Sequence, residues 1–321
     1  GITFGATTLS TAAVSLDSNG GNIALTSLAG GSQDLTIAAG TAAGTTTVTG
    51  NVSALGDGTG AALTVDNAAT GLVDFQGTFG ANSGLTAGAG TSLKFGQNVT
   101  LADGDTVTNL AGAVTLDGLD WSSFDGITFG ATTLSTAAVS LDSNGGAIQT
   151  AAITGGSQDL TLNSGTTGAI TVTGAVAGVT TFDITNSNGA TFNDTVTVTT
   201  LDISDTENSQ TVQVDGTLTA TTLTTTSNGY NVSLLGGGTI TTDTTFANTG
   251  TITIGDGSGD TTTFTGGLDT TAGGTERFAG TVQTAGSQMD IGAVTLLADT
   301  ILKTDGNSAT GDANINIGAV T

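Results

Sequence analysis

The chain has 321 residues with 27 acidic and 3 basic side chains, a formal net charge of −24, 52 glycines and no proline, cysteine or histidine. Without cysteine and histidine there are no disulfides, thiolate nucleophiles, histidine-based triads or thiolate and imidazole zinc centres, and three cations cannot neutralise a phosphate backbone, which excludes nucleic acid as a partner. Lys, Arg, Glu, Gln and Met, all good helix formers, are rare; Thr, Val and Ile favour strands, and Gly, Asp and Asn supply turns, so the chain reads as all-β.

Disorder is the first alternative to weigh. A hydrophobic fraction of 36% and a mean hydropathy of +0.21 stand against it, as does the placing of apolar residues in period two. No apolar run reaches the ~18 residues of a membrane span, so no membrane insertion of this segment is expected. No signal peptide precedes Gly1. A chain that starts without Met and inside a repeated unit reads as a processed or excised piece of something longer.

Residues 1–21, GITFGATTLSTAAVSLDSNGG, recur letter for letter at 126–146, and the offset of 125 holds into GGSQDLT at 30–36 and 155–161. Self-similarity of this kind marks a repeat architecture, in which each unit buries its apolar face on a neighbour. In the first unit, strands of three to six residues are predicted at 2–4, 13–16, 23–28, 35–37, 46–49, 63–65 and 72–75. Turn clusters such as DSNGG at 17–21, AGGS at 29–32 and GDGTG at 56–60 separate them. Strands this short suit a parallel β-helix, or β-solenoid, in which three strands and three corners complete one coil.

Further along, FGQNVTLADGDTV at 95–107 returns loosely at 289–302, aligned on Val-Thr-Leu, and IGAVT occurs at 291–295 and 317–321, an offset of 26. Coils of about 20–26 residues are therefore expected, about five of them per 125-residue unit. About thirteen coils at ~4.8 Å would make a rod roughly 60 Å long. After Thr161 the second unit drifts. NSNGATF at 186–192 echoes NAATGLVDF at 67–75, but the offset has slipped to 117, as corner deletions would produce. From 196 to 226 Thr alternates with Val and Leu, which predicts Thr outward and Val or Leu inward. No linker marks a boundary. The expectation is a single continuous array over 1–321, with a duplicated unit at 1–125 and 126–250 and a partial, divergent unit at 251–321.

The stretches TFNDTVTVTTLDI (191–203), TFTGGLDTTAGGT (263–275) and VTLLADTILKTDGNSATGDANINIG (294–318) together resemble the repeats of filamentous-haemagglutinin-like and autotransporter-type surface adhesins of Gram-negative bacteria. The resemblance implies an exported, right-handed parallel β-helix. The family's amino-terminal secretion domain and translocator barrel are not visible in these residues, and aromatic residues are few.

The chemistry left to this composition is that of carboxylates and hydroxyls. A β-helix hydrolase or lyase would need paired carboxylates, and Asp202 with Asp205, or Asp117 with Asp120, are the pairs on offer; solvated corner aspartates are the plainer reading. Calcium takes hard oxygen ligands, and Asp103 with Asp105 and Asp256 with Asp260 combine carboxylates with turn carbonyls. Neither stretch completes an EF-hand or a glycine-rich nonapeptide, and tight turns explain both. Asn51, Asn98, Asn193 and Asn231 match the glycan-acceptor pattern and read mainly as turn and strand residues. Phe4, Phe75, Phe95, Phe129, Phe192, Phe246, Phe264 and Phe278 are expected inside the coil, whereas Trp121 and Tyr230 are open between the interior and an exposed contact for a sugar or partner.

No catalytic, cofactor-binding or metal residue is assigned. The expected function is that of a non-enzymatic, extracellular structural protein: a stalk, adhesin or self-assembling fibre subunit on a bacterial surface. End-to-end self-association and a surface glycan or a host or neighbour-cell ligand are its expected contacts. The alternatives are a calcium-dependent surface-layer or roll protein and a carbohydrate-active β-helix enzyme.

Overall fold

The computed structural model describes residues 1–38, 44–66, 71–102, 106–306 and 313–321. All regular structure among them is β, in thirty-six strands. The chain is a parallel β-solenoid whose turns lie about 21 residues apart. The described residues fall into two compact units, 1–158 with 163–168, and 159–162 with 169–321.

In the first unit three parallel ladders run side by side. One carries residues 2–4 and 23–25, then Thr46–Val48, Leu72–Phe75, Ser92–Phe95, Ala113–Leu116, Thr132–Leu134 and Ile153–Thr154. The second carries residues 6–8 and 28–29, then Val52–Leu55, Phe79–Ala81, Val99–Leu101, Asp120–Ser122 and Val139–Asp142. The third carries Val14–Asp17, Leu35–Ala38, Leu63–Val65, Leu85–Ala87, Thr108–Leu110, Ile127–Phe129 and Ile148–Thr150. Alternation sets which side faces in: Leu63 and Val65 are buried while Thr64 between them is partly exposed, because successive strand residues point to opposite faces.

The two identical 21-residue segments do not occupy equivalent places. In the first copy Ile2–Phe4 lies on the first ladder and Val14–Asp17 on the third. In the second copy the matching residues 127–129 lie on the third ladder and 139–142 on the second. Residues 2 and 127 are thus separated by five coils and two further faces, close to the expected count of about five coils per unit but not a whole number. The coil offset ranges from 18 residues (Val114 to Thr132) to 28 (Leu35 to Leu63), so 125 residues need not be a whole number of turns.

What the two copies do share is the corner. Asn19 and Asn144 both have φ 46, and Gly20 and Gly145 follow at φ 90 and 106. Asp17 Oδ1 accepts from the Asn19 N–H at 2.8 Å, and Asp142 Oδ1 accepts from Asn144 at 2.8 Å. The Ser18 hydroxyl donates to the Gly21 carbonyl and Ser143 to that of Gly146. An Asx turn followed by a left-handed Asn-Gly pair is encoded locally. It closes whichever corner the chain has reached.

The second unit repeats the plan. Strands Ile170–Val172, Ala190–Phe192, Thr211–Val214, Asn231–Leu234 and Thr251–Ile254 form one ladder that runs on into 275–278. A second holds residues 196–198 and 218–220, then Gly238–Ile240, Thr261–Phe264 and residues 281–284. The third holds residues 181–184, 200–203 and 222–225, with Thr244–Thr245, Leu268–Asp269 and residues 289–291 and 315–317 beyond. The 26-residue recurrence of IGAVT is one true coil, with Ile291 opposite Ile317 and Val294 opposite Val320.

Gly238 shows how tightly the coils stack. Its φ is 132°, and a Cβ there would lie 2.0 Å from the Leu218 carbonyl oxygen of the coil before. Gly238→Ala combines a backbone that an L-residue rarely adopts with a clash against main chain. It is expected to cost the unit about 1–3 kcal/mol or more, read as a lower denaturant midpoint by circular dichroism.

Candidate functional site

The interior is aromatic and aliphatic. Phe75, Phe79, Phe95, Trp121 and Phe129 form a chain of ring contacts in the first unit, with centroids 4.9–5.7 Å apart; Phe182 meets Phe192 at 5.3 Å and Phe246 meets Phe264 at 6.2 Å in the second. The expected interior phenylalanines are buried, with one correction: Phe4 is 44% exposed, whereas its duplicate Phe129 is 3% exposed. The difference is the covering coil. Residues 108–110 stack on 127–129, and among the described residues strand Ile2–Thr8 is paired only with Ile23–Ala29. Trp121 and Tyr230 also lie inside, 1% and 0% exposed, so neither is an exposed contact for a sugar. Trp121 takes an inward ladder position between Val99 and Leu141. The Tyr230 hydroxyl donates to the Ile203 carbonyl at 2.9 Å and accepts from the Thr226 N–H at 2.8 Å.

Asp103 and Asp105 lie outside the described residues. Asp260 closes its own loop, its Oδ2 accepting from the N–H groups of Asp256 at 3.0 Å and Gly257 at 2.8 Å. Among the described residues there is no group of three or more acidic side chains placed to hold a metal ion.

Three of the four carboxylates suggested by sequence, Asp117, Asp202 and Asp205, are committed to other partners. Asp117 binds the Lys94 ammonium at 2.9 Å and accepts from Ser135 and Thr136. The Thr136 hydroxyl, and then Lys94, hold its carboxyl below the usual range, and Asp117 raises Lys94 in turn. The Asp120 N–H donates to Asn98 Oδ1 of the coil before at 3.1 Å. Asp202 accepts from the Thr224 hydroxyl on the next coil, and Asp205 Oδ1 accepts from the Thr206 N–H at 2.8 Å and from Asn228 at 2.9 Å.

The ladder instead brings Asp183 opposite Asp202. Burial pushes the Asp183 carboxyl up, the charge of Asp202 adds to the rise, and the Ser204 hydroxyl opposes it. The signal was present in the sequence as the matched phrases TFDI at 181–184 and TLDI at 200–203. A polar recess is lined by Asp205, Thr206, Glu207, Asn208 and Asn228.

Three of the four acceptor-like asparagines bridge coils through their side chains. Asn51 Oδ1 accepts from the Thr78 N–H, Asn98 from Asp120 and Asn231 from Thr251, at 2.7–3.2 Å. Asn22, which has no acceptor motif, does the same for Thr45 at 3.0 Å. The shared role is a corner hydrogen bond, which accounts for these asparagines without a glycan.

One titratable group escaped the sequence reading. Glu276 is 1% exposed and occupies the inward column between Ile252 and Val294. Neither carboxyl oxygen has a hydrogen-bond partner of good geometry. A Cβ on Gly292 would lie 2.6 Å from Glu276 Oε1 and one on Gly273 3.1 Å away, so these glycines make the room the carboxyl fills. Burial pushes the carboxyl up, offset only in part by its own backbone N–H and the Thr270 hydroxyl. Its parity with inward Phe278 in TERF was the readable sign.

These features define the class: a three-faced parallel β-solenoid with a mainly aromatic and aliphatic interior and hydroxyl-rich outer faces. No family model, curated protein or solved structure matches the chain.

Proposed function

We propose that this chain is a non-enzymatic, extracellular structural protein, a β-solenoid stalk, adhesin or self-assembling fibre subunit on a bacterial surface. The observation that carries the reading is the interchange of faces: an identical 21-residue sequence serves as different sides of the coil, which suits a molecule whose length matters and whose individual positions do not. The resemblance to surface-adhesin repeats supports the same role and the cell-surface location. Three basic residues in 321 leave few sites for trypsin-like proteases. Unpaired strand edges offer themselves to further strands, and end-to-end stacking of identical chains is the assembly this favours. Light scattering and negative-stain microscopy across a concentration series, with and without calcium, test the assembly. Length growing with concentration is expected; a monodisperse monomer at the highest concentration under both conditions overturns the fibre form.

A further inference from the structure

On the second ladder of the second unit, Thr197, Thr219, Thr239 and Thr263 are direct partners on four successive coils. Two residues further on stand Thr199, Thr221, Thr241 and Thr265, so each coil presents Thr-x-Thr outward. Val198, Ala220, Ile240 and Phe264, between the two threonines of each coil, point inward and are buried. The threonines of the first three coils are exposed. Among the described residues their hydroxyls make no hydrogen bond to the protein; Gln283 Nε2 donates to Thr263 Oγ1 at 2.8 Å and closes the array at one end.

The neighbouring ladders are not built this way. One runs Thr171, Thr191, Gln213, Ser233, Thr253 and Arg277 in the matching outward positions, and the other runs Asp183, Asp202 and Thr224. In a chain this acidic, the array residues 197–199, 219–221, 239–241 and 263–265 hold no charge.

A β-branched side chain is stiff at χ1, so the methyl and hydroxyl of each threonine keep fixed places. Coils repeat at about 4.8 Å, and alternate residues of one strand at about 6.7 Å. The face is therefore a rigid, neutral, two-dimensional lattice of paired hydroxyls and methyls. It lacks the large aromatic or arginine anchors that carry protein interfaces and the cations that bind phosphate. Its two repeats lie close to those of the oxygen atoms on a prism face of hexagonal ice. Because the array is already ordered, binding a crystalline lattice of water costs little further side-chain freedom.

We infer that this threonine array is an ice-binding face. The inference stands apart from the surface-stalk reading, since it needs only the folded second unit.

The test uses the full chain at low temperature. The chain labelled with a fluorophore at its amino terminus is frozen slowly into a single ice crystal, and the growth of crystals near the melting point is followed in parallel. The wild-type chain is expected to enter the ice, to mark prism-related planes and to shape growing crystals. Thr219→Tyr with Thr239→Tyr is expected to abolish both effects, while Thr191→Tyr with Gln213→Tyr, partly exposed partners on the neighbouring ladder, leaves them intact. A wild-type chain excluded from ice overturns the proposal without recourse to any variant. So does a Thr219→Tyr and Thr239→Tyr chain that keeps wild-type melting and still marks the same planes.

Discussion

Phe95→Ala is expected to lower the stability of the first unit by about 3–5 kcal/mol, the cost of emptying a large aromatic site that its surroundings cannot refill. Phe95 is fully buried and touches three other rings, Phe75 at 5.4 Å, Phe79 at 5.7 Å and Trp121 at 5.0 Å. Phe75 and Phe79 lie on the coil before and Trp121 on the coil after, and Phe95 is held in its ladder between Phe75 and Leu116, so a collapse into the void would break register. Trp121 is the only tryptophan and lies in the same stack, which makes its fluorescence a direct reporter. The midpoint of denaturation should fall with an unchanged slope, the sign of altered stability at constant exposed area. A midpoint within error of the wild type would show that these rings do not share one packed interior.

Glu276 sets the second large effect. Ile252 and Val294 face it from the strands on either side, Gly273 and Gly292 form its cradle, and Thr270 is the near hydroxyl. No charged group faces it from these elements; Arg277, next in sequence, points outward and is exposed. A carboxyl raised by folding holds its proton where the unfolded chain has already lost it. Its stabilising contribution is complete below the unfolded value of about 4.3, falls as pH rises toward the folded value, and does not return above it. Glu276→Gln should remove that part of the pH dependence, leaving the slope due to the surface aspartates. Glu276→Leu should raise stability at neutral pH by about 1–3 kcal/mol, the cost of a buried polar group left unpaired. Parallel pH–stability curves for wild type and Glu276→Gln would contradict the assignment.

The parts of the fold legible in the sequence were those set by neighbours in the chain. Strands at 23–28, 35–37, 63–65 and 72–75 were predicted, and the structure places Ile23–Ala29, Leu35–Ala38, Leu63–Val65 and Leu72–Phe75 there. The DSNGG corner was likewise readable, because its Asx turn and left-handed Asn-Gly pair need no distant partner. The outward threonines of 196–226 followed from alternation alone. Which ladder a strand joins was not readable, since all three faces use the same alternation of Thr with Val, Ile or Leu. The exact coil length was hidden for that reason: the 26-residue offset of IGAVT is a genuine coil, but a long one beside turns about 21 residues apart. Trp121 was left open because its burial depends on Val99 and Leu141, which lie 22 and 20 residues away and meet it only through register. Val52–Leu55 was missed as a strand, its period broken by Ala54 at φ 51.

The rotated placement of the two identical segments is the claim on which the face-interchange argument rests, and it can be tested by disulfide formation in a chain that has no cysteine of its own. Partners on adjacent coils lie about 4.8 Å apart, within the roughly 4.4–6.8 Å that a disulfide spans between Cα atoms. Thr115 is opposite Thr133 on the first ladder, whereas Thr128, the duplicate of Thr3, is opposite Asn109 on the third. Thr115→Cys with Thr133→Cys should therefore close a disulfide on mild oxidation, and Thr115→Cys with Thr128→Cys should stay reduced. The reverse outcome would put both copies on one face and contradict the account.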